Sequence, residues 1–348
     1  MKSFSLLTLL ISLSPGLSLG SAASSKSGWA TLPSITLYPR QEHVTLALNS
    51  TTLAILGGII PAMNGDTPTF NTTGILQFYS LPTRQWSLAS PAPVPLNHPN
   101  GAVVDGKIYL LGGLYDSHDG IWRATPDSWV YTPSKDSWTS LPSLPANDTA
   151  RGSAAMGMYK DVVYLAGGES VLPLIPGQVQ QSVDDVSAFD TRTRKWISLP
   201  EKAKKLPGRR DHAGAAVVDG VFYVLGGRDM GQENVRGDVF ALDLNNLKKG
   251  WVVKNGKMPT PRGGIAAGQV KGKIYAFGGE GNPVEGSNGV YDQVEAYDVK
   301  RDTWEKLEKM KLPRHGTSAT SIGGGIYIPG GGITQSGSPV DAFDVFYP

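Results

Sequence analysis

Cysteine is absent from all 348 residues. That alone excludes disulfide frameworks, thiol nucleophiles, zinc–thiolate centres and iron–sulfur clusters. Charge is also scarce: Asp, Glu, Lys and Arg supply 18% of the chain, and 32 basic residues nearly balance 30 acidic ones. A nucleic-acid binder shows a marked basic excess, so nucleic acid is not an expected partner. No apolar run approaches the roughly 20 residues of a membrane helix, and no membrane span is expected. No segment sustains a helical period either. What the chain does have is glycine, 43 residues against an ordinary share of about 7%. With 40% hydrophobic residues and 8 tryptophans it can also fill a core, so it is not a disordered polymer.

The first residues read as an address. Met1-Lys2 is followed by a short apolar stretch from Phe4 to Leu13, then by small residues from Ser18 to Ala23. This is the three-part pattern of a secretory signal, expected over residues 1–20, with a short segment over 21–28 and the folded unit over 29–348. The expected location is therefore outside the cell or in the lumen of the secretory pathway. Sequons at Asn49, Asn71 and Asn147 fit a glycoprotein made on that route.

Self-similarity at a fixed period governs the rest. Glycine doublets begin at Gly57, Gly112, Gly167, Gly226, Gly278 and Gly330, spaced by 55, 55, 59, 52 and 52 residues. Trp29, Trp86, Trp138, Trp196, Trp251 and Trp304 precede them by 26 to 30 residues. Within a period, Gly101 to Val104 and Lys107 to Leu111 read as strands joined by the tight turn Asp105-Gly106, which is a strong hairpin signal. A further strand follows around Val130-Tyr131, and another starts at Trp138. The expected class is all-β.

The pattern of a hydrophobic strand, Gly-Gly, a variable loop, an aromatic-Asp pair and a Trp resembles the kelch repeat. Phe189-Asp190 with Trp196 and Tyr297-Asp298 with Trp304 match it closely. The resemblance implies a six-bladed β-propeller. The last repeat ends without its Trp after a strand around Val340 to Val345, while Trp29 stands alone at the other end. The N-terminal strand is therefore expected to complete the sixth blade and leave no open edge.

In such a ring the loop after each doublet and the segment entering each blade share one face, and ligand contacts are expected there. Sixteen residues before the doublet stand Arg151, Arg210, Arg262 and Arg314; Arg40 fits with a one-residue insertion, and Leu96 replaces the arginine in blade 2. Arginines around a funnel could bind an anionic or carbonyl-rich ligand. Kelch repeats also carry Arg there to tie blades together, and that structural role is the one favoured for most of them. All five histidines map to this face. His43, His98 and His212 lie fourteen residues before a doublet, His315 sits in another entering segment and His118 in a post-doublet loop. Three imidazoles could hold a metal, but no carboxylate falls at a clear ligand spacing. They are read as pocket lining, and neither a metal nor a cofactor is assigned. Glu169, Arg228 and Glu280 follow doublets, while Tyr115 and Trp122 lie in the loop of blade 2. The candidate ligand residues are thus Arg40, His43, His98, Tyr115, Trp122, Arg151, Glu169, His212, Arg228, Arg262, Glu280, Arg314 and His315.

No nucleophile elbow, phosphate loop or dinucleotide fingerprint appears. Radical-copper kelch oxidases need a cysteine crosslinked to tyrosine and are excluded. The chain is similar in size, leader and blade number to small fungal secreted propellers that act as hetero-Diels–Alderases in tropolone-sesquiterpenoid pathways. That likeness implies a cofactor-free cyclase of secondary metabolism acting on an amphiphilic small molecule. No catalytic residue carries over. The competing class is a non-catalytic secreted module that binds a protein or glycan through the same loops.

Overall fold

The computed structural model describes Met1, residues 27–174 and residues 178–348. The signal expected over residues 1–20 and most of segment 21–28 lie outside the described residues. Six antiparallel blades follow one another along the chain, five of them four-stranded sheets and the second a four-stranded blade with a fifth strand added. Blade 1 is Val44–Ala47, Thr52–Leu56, Leu76–Ser80 and Gln85–Ala89. Blade 2 is Gly101–Val104, Lys107–Asp116, Ile121–Thr132 and Ser137–Leu141. Blades 3, 4 and 5 begin at Ala155–Tyr159, Gly214–Val218 and Ala266–Val270. Blade 6 takes Thr320–Ile322, Gly325–Pro329 and Phe343–Tyr347 from the C-terminus. Its outer strand is Gly28–Thr31, paired antiparallel with Trp29 opposite Phe346. The expected closure is what the topology shows, with the final strand two or three residues later than the sequence suggested. Three 3₁₀ turns are the only helical elements among the described residues.

Each landmark of the repeat has a mechanical reason. The doublet lies where one blade meets the next. Both of its glycines have positive φ, 65° and 105° at Gly167 and Gly168. A Cβ on Gly167 would collide with the carbonyl oxygen of Arg210, the same oxygen that accepts a hydrogen bond from Gly168 N at 2.6 Å. A side chain there would push adjacent blades apart.

The arginines act inside the blades. Arg262 donates to Gly278 O at 2.6 Å and Ala276 O at 3.2 Å, and its Nη1 pairs with Glu295 at 2.6 Å. Arg151 reaches Leu165 O and Ser187; Arg40 reaches Gly57 O and Gln77; Arg314 reaches Ile328 O and Asp344. Each guanidinium ties the second strand to the third by satisfying buried carbonyls.

The tryptophans join neighbours at the rim. Trp86, Trp138, Trp196, Trp251 and Trp304 donate Nε1–H to Pro33, Ser90, Pro142, Ala203 and Gly256 carbonyls of the preceding unit, at 2.9–3.2 Å. Trp29 does the same to Glu308 O at 3.3 Å. Most also pack on the aromatic of the third strand, as Trp196 does on Phe189 with centroids 5.1 Å apart. Apolar side chains between adjacent sheets form the core, for example Tyr164, Phe222, Val224 and Leu242 between blades 3 and 4.

Blade 2 departs from the pattern. Its second strand runs through the doublet to Asp116 and the third begins at Ile121, so the segment read as a variable loop is an extended hairpin. Leu114 continues the pairing opposite Ala124, and Val171–Pro173 of blade 3 adds an outer strand.

Candidate functional site

Each entering segment delivers two residues to the axis. The second of each pair, at Glu42, His98, Ser153, His212, Gly264 and Gly316, has a φ between 49° and 65°. These six stitch the axis closed with a ring of hydrogen bonds. Glu42 N donates to Gly316 O, Gly316 N to Gly264 O, and Gly264 N to His212 O. His212 N donates to Ser153 Oγ, Ser153 N to His98 O, and His98 N to Glu42 O, all at 2.5–3.2 Å. The first of each pair makes an isolated bridge to the residue after the doublet: Gln41 to Ile59, Asn97 to Leu114, Gly152 to Glu169, Asp211 to Arg228, Gly263 to Glu280 and His315 to Gly332. A ring of axial side chains and a second tier above it are thus fixed by backbone pairing alone.

The one-residue insertion in blade 1 falls after Glu42, so Glu42 and not His43 shares the axial position with His98 and His212. This corrects the expected trio of histidines and supplies the carboxylate that spacing alone did not reveal. His98 Nε2 lies 3.0 Å from His212 Nε2 and 3.1 Å from Glu42 Oε2; His212 Nε2 lies 3.9 Å from the same oxygen. His43 stands beside them on the cavity wall and is buried.

Above this trio, Arg228 joins carboxylates from separate blades. Its Nε donates to Asp211 at 2.8 Å, its Nη1 to Glu280, and its Nη2 to His212 Nε2 at 3.2 Å. Asp211 accepts from His212 Nδ1 at 2.7 Å and from Ser182. His315 donates Nε2–H to Thr334 O at 2.8 Å and places Nδ1 3.3 Å from Glu280. Glu169 is fully buried, and neither of its carboxyl oxygens has a hydrogen-bond partner. Glu169 and Glu280 belong to blades 3 and 5, yet one arginine from blade 4 draws their neighbourhoods together. Trp122, carried inward by the extended hairpin, packs on His98 with centroids 5.6 Å apart.

Burial and charge set the protonation pattern. Burial raises Glu42, but the His98, His212 and His315 imidazoles outweigh it and hold the carboxyl well below its usual range. Burial pushes Glu169 well above that range, reinforced by Asp211. Burial works against Asp211 too, but Arg228 and His212 hold it at about 2. Burial and Arg228 lower His212, and burial with Arg40 lowers His43 to about 3.

Beneath the trio lies a cavity of about 300 Å³ along the axis. Its walls come from the innermost strands and the residue entering one of them: Val44, Leu46, Val103 and Met156, with Ile265 just before its strand and Met158, 43% exposed, toward the tight-turn end. Glu42, His98 and His212 line it as well. It is an apolar tube with a polar inner end.

The other candidates distribute differently. Arg40, Arg151, Arg262 and Arg314 are bonded inside their blades and do not line the cavity. Tyr115 packs against the core between blades 1 and 2, and His118 is exposed beside Asp116 at 3.9 Å. Glu169, Arg228, Glu280 and His315 form the buried tier behind the axial trio. The apolar wall residues were not singled out in the sequence, because each reads as an ordinary strand residue.

A family model described as the KLHDC2/KLHL20/DRC7 Kelch-repeats domain matches residues 25–227 and 176–332. The Kelch-like protein terF of Aspergillus terreus is 40% identical over 324 residues, covering 92% of this chain and 68% of that protein. Beta-scruin of Limulus polyphemus is 25% identical over 82% of this chain and 29% of its own length. Kelch domain-containing protein 3 of Homo sapiens is 25% identical over 69% of this chain and 64% of its own length. The repeat landmarks, the six closed blades and these matches agree: the chain belongs to the kelch-repeat family.

Proposed function

We propose that the propeller takes an amphiphilic small molecule into the axial cavity and closes a ring in it, as a cyclase of the hetero-Diels–Alder type in fungal secondary metabolism. The observation that carries this reading is the apolar tube ending at Glu42, His98 and His212. A volume of about 300 Å³ lies at the small end of ligand pockets. Val44, Leu46, Val103 and Met156 would hold a polyene in a reactive conformation, and the polar end would fix which way round an amphiphilic substrate enters. Confinement and orientation bring the reacting ends together and lower the entropic part of the barrier. Likeness to a fungal kelch protein at 40% identity supports the biological setting.

The same reading includes passage through the secretory pathway. Asn49, Asn71 and Asn147 are exposed, as glycosylation requires. Endoglycosidase treatment of protein from the native host should raise its gel mobility, and an unshifted band with an intact Met1 terminus would count against secretion.

The functional test compares metabolites with and without the gene. Extract from the deletion strain should lack a ring-closed product that purified protein restores. Val103→Trp, which fills the tube, should melt like the wild type and restore at most one-tenth of the product. Unchanged metabolites after deletion, or full turnover by Val103→Trp, would overturn the reading.

A further inference from the structure

We propose that Glu42, His98 and His212 form a divalent transition-metal site of the zinc class, with its open position facing the axial cavity. Donor chemistry comes first. His212 Nδ1 donates to Asp211 at 2.7 Å and His98 Nδ1 donates to Asn97 Oδ1 at 2.7 Å. With each Nδ1 committed as a donor, each ring in its neutral form presents a lone pair at Nε2. Those two lone pairs and Glu42 Oε2 converge at separations of 3.0, 3.1 and 3.9 Å. A proton on one ring or a metal ion between the three atoms would relieve this convergence, and a metal ion satisfies all three at once. Ligand atoms around a tetrahedral ion with bonds of 2.0–2.1 Å stand about 3.3 Å apart, which is the spread seen here. Two histidines and a carboxylate with a fourth position open to a cavity is a donor set suited to zinc or its neighbours.

The surroundings support the same conclusion. Anchoring each ligand histidine through its second nitrogen to a carboxylate or amide oxygen is how metal sites fix the tautomer and the ring plane. Arg228 Nη2 donates into the His212 Nε2 lone pair at 3.2 Å. Ion binding would displace that one contact while Asp211 and Glu280 keep hold of the guanidinium.

The test uses the full-length chain, stripped with a chelator and titrated with Zn²⁺ in the absence of substrate. One equivalent should bind with a dissociation constant in the micromolar range or below and raise the melting temperature. Glu42→Gln should weaken binding at least tenfold, and Asn97→Ala, which frees the His98 ring, by roughly tenfold or more. Absence of binding to the wild type overturns the site. So does equal affinity in Glu42→Gln, which places the ion elsewhere, such as at the exposed His118. Should the variants not fold, Co²⁺ in the wild type decides: intense visible absorption of a low-coordinate nitrogen–oxygen site supports the assignment, and the pale spectrum of the hydrated ion overturns it. Ring closure does not enter these measurements. A failed titration therefore leaves the cyclase reading standing, and an inactive but zinc-binding protein refutes only that reading.

Discussion

Arg262 and Glu295 are both fully buried and 2.6 Å apart, so neither can turn to water if its partner is lost. Truncating one side of a buried pair typically costs roughly 3–5 kcal/mol, because the remaining charge is stranded. Glu295→Ala should therefore lower the denaturant midpoint by that equivalent and leave Zn²⁺ affinity of the folded protein unchanged; a loss below about 1 kcal/mol would show that water reaches the arginine. His43 carries a second residue-level prediction. Its imidazole titrates near 3 in the fold, because of burial and then Arg40, against about 6.5 when unfolded. Between those values the unfolded chain binds the proton and the native one does not, so stability falls as pH drops below 6.5 and is fully present above it. One such group contributes up to roughly 1.4 kcal/mol per pH unit. His43→Gln should show a shallower decline from pH 6 to 4 than the wild type, and parallel curves would place the imidazole in contact with water. At this scale the site was only half legible. His98, His212, Arg228, Glu169 and Glu280 stood out as rare charged or titratable residues next to glycine landmarks. Glu42 did not, because a single inserted residue moved His43 into its place in any alignment counted from the doublet.

Strands, turns and doublets were legible because each is a local backbone requirement: alternation for a strand, Asp-Gly for a tight turn, glycine where neighbouring blades approach. The extended hairpin of blade 2 was not, since its inner end is stabilised by the outer strand Val171–Pro173, more than forty residues on. Its effect is to carry Trp122 over His98, a contact no local pattern encodes. The doublet offers a clean test of what glycine does here. Gly106 and Gly167 have nearly equal φ, 68° and 65°. A Cβ at Gly106 meets nothing within 4 Å, whereas one at Gly167 strikes the Arg210 carbonyl. Gly106→Ala should cost about 1–2 kcal/mol from the left-handed backbone alone. Gly167→Ala should cost measurably more, because the adjoining blade must also move. Equal costs in chemical denaturation would mean that the doublet serves only its own turn.

The whole ring depends on a strand from the opposite end of the chain. Gly28–Thr31 pairs with Phe343–Tyr347, and Trp29 packs its ring on Phe277 and Phe346 with centroids 5.7 and 5.0 Å apart. Trp29 also donates to Glu308 O, so blade 6 is held to blade 5 by the same rim bond that links the other blades. Leu32 N and Ile35 N continue the attachment to Phe343 O and Asp341 O, each at 2.8 Å. Closure is thus non-local, and it was readable only because the repeat left one tryptophan over at the start and one missing at the end. Removing residues 24 to 40 would bare the backbone edge of Phe343–Tyr347 and the Phe346 ring together, leaving unpaired donors and acceptors that invite pairing with another chain. Because Glu42 enters the axial ring just after this segment, donating to Gly316 O and accepting from His98 N, the loss should reach the axis as well as the rim. The truncated protein should elute as aggregates, and any monomer should melt lower and bind Zn²⁺ more weakly than the intact chain. A point variant separates the two effects: Trp29→Ala keeps the strand and its ladder, so it should lower the melting temperature while leaving the protein monomeric with its axial affinity intact. A truncated chain that stays monomeric with unchanged melting would show that five complete blades and a three-stranded sixth close without this strand.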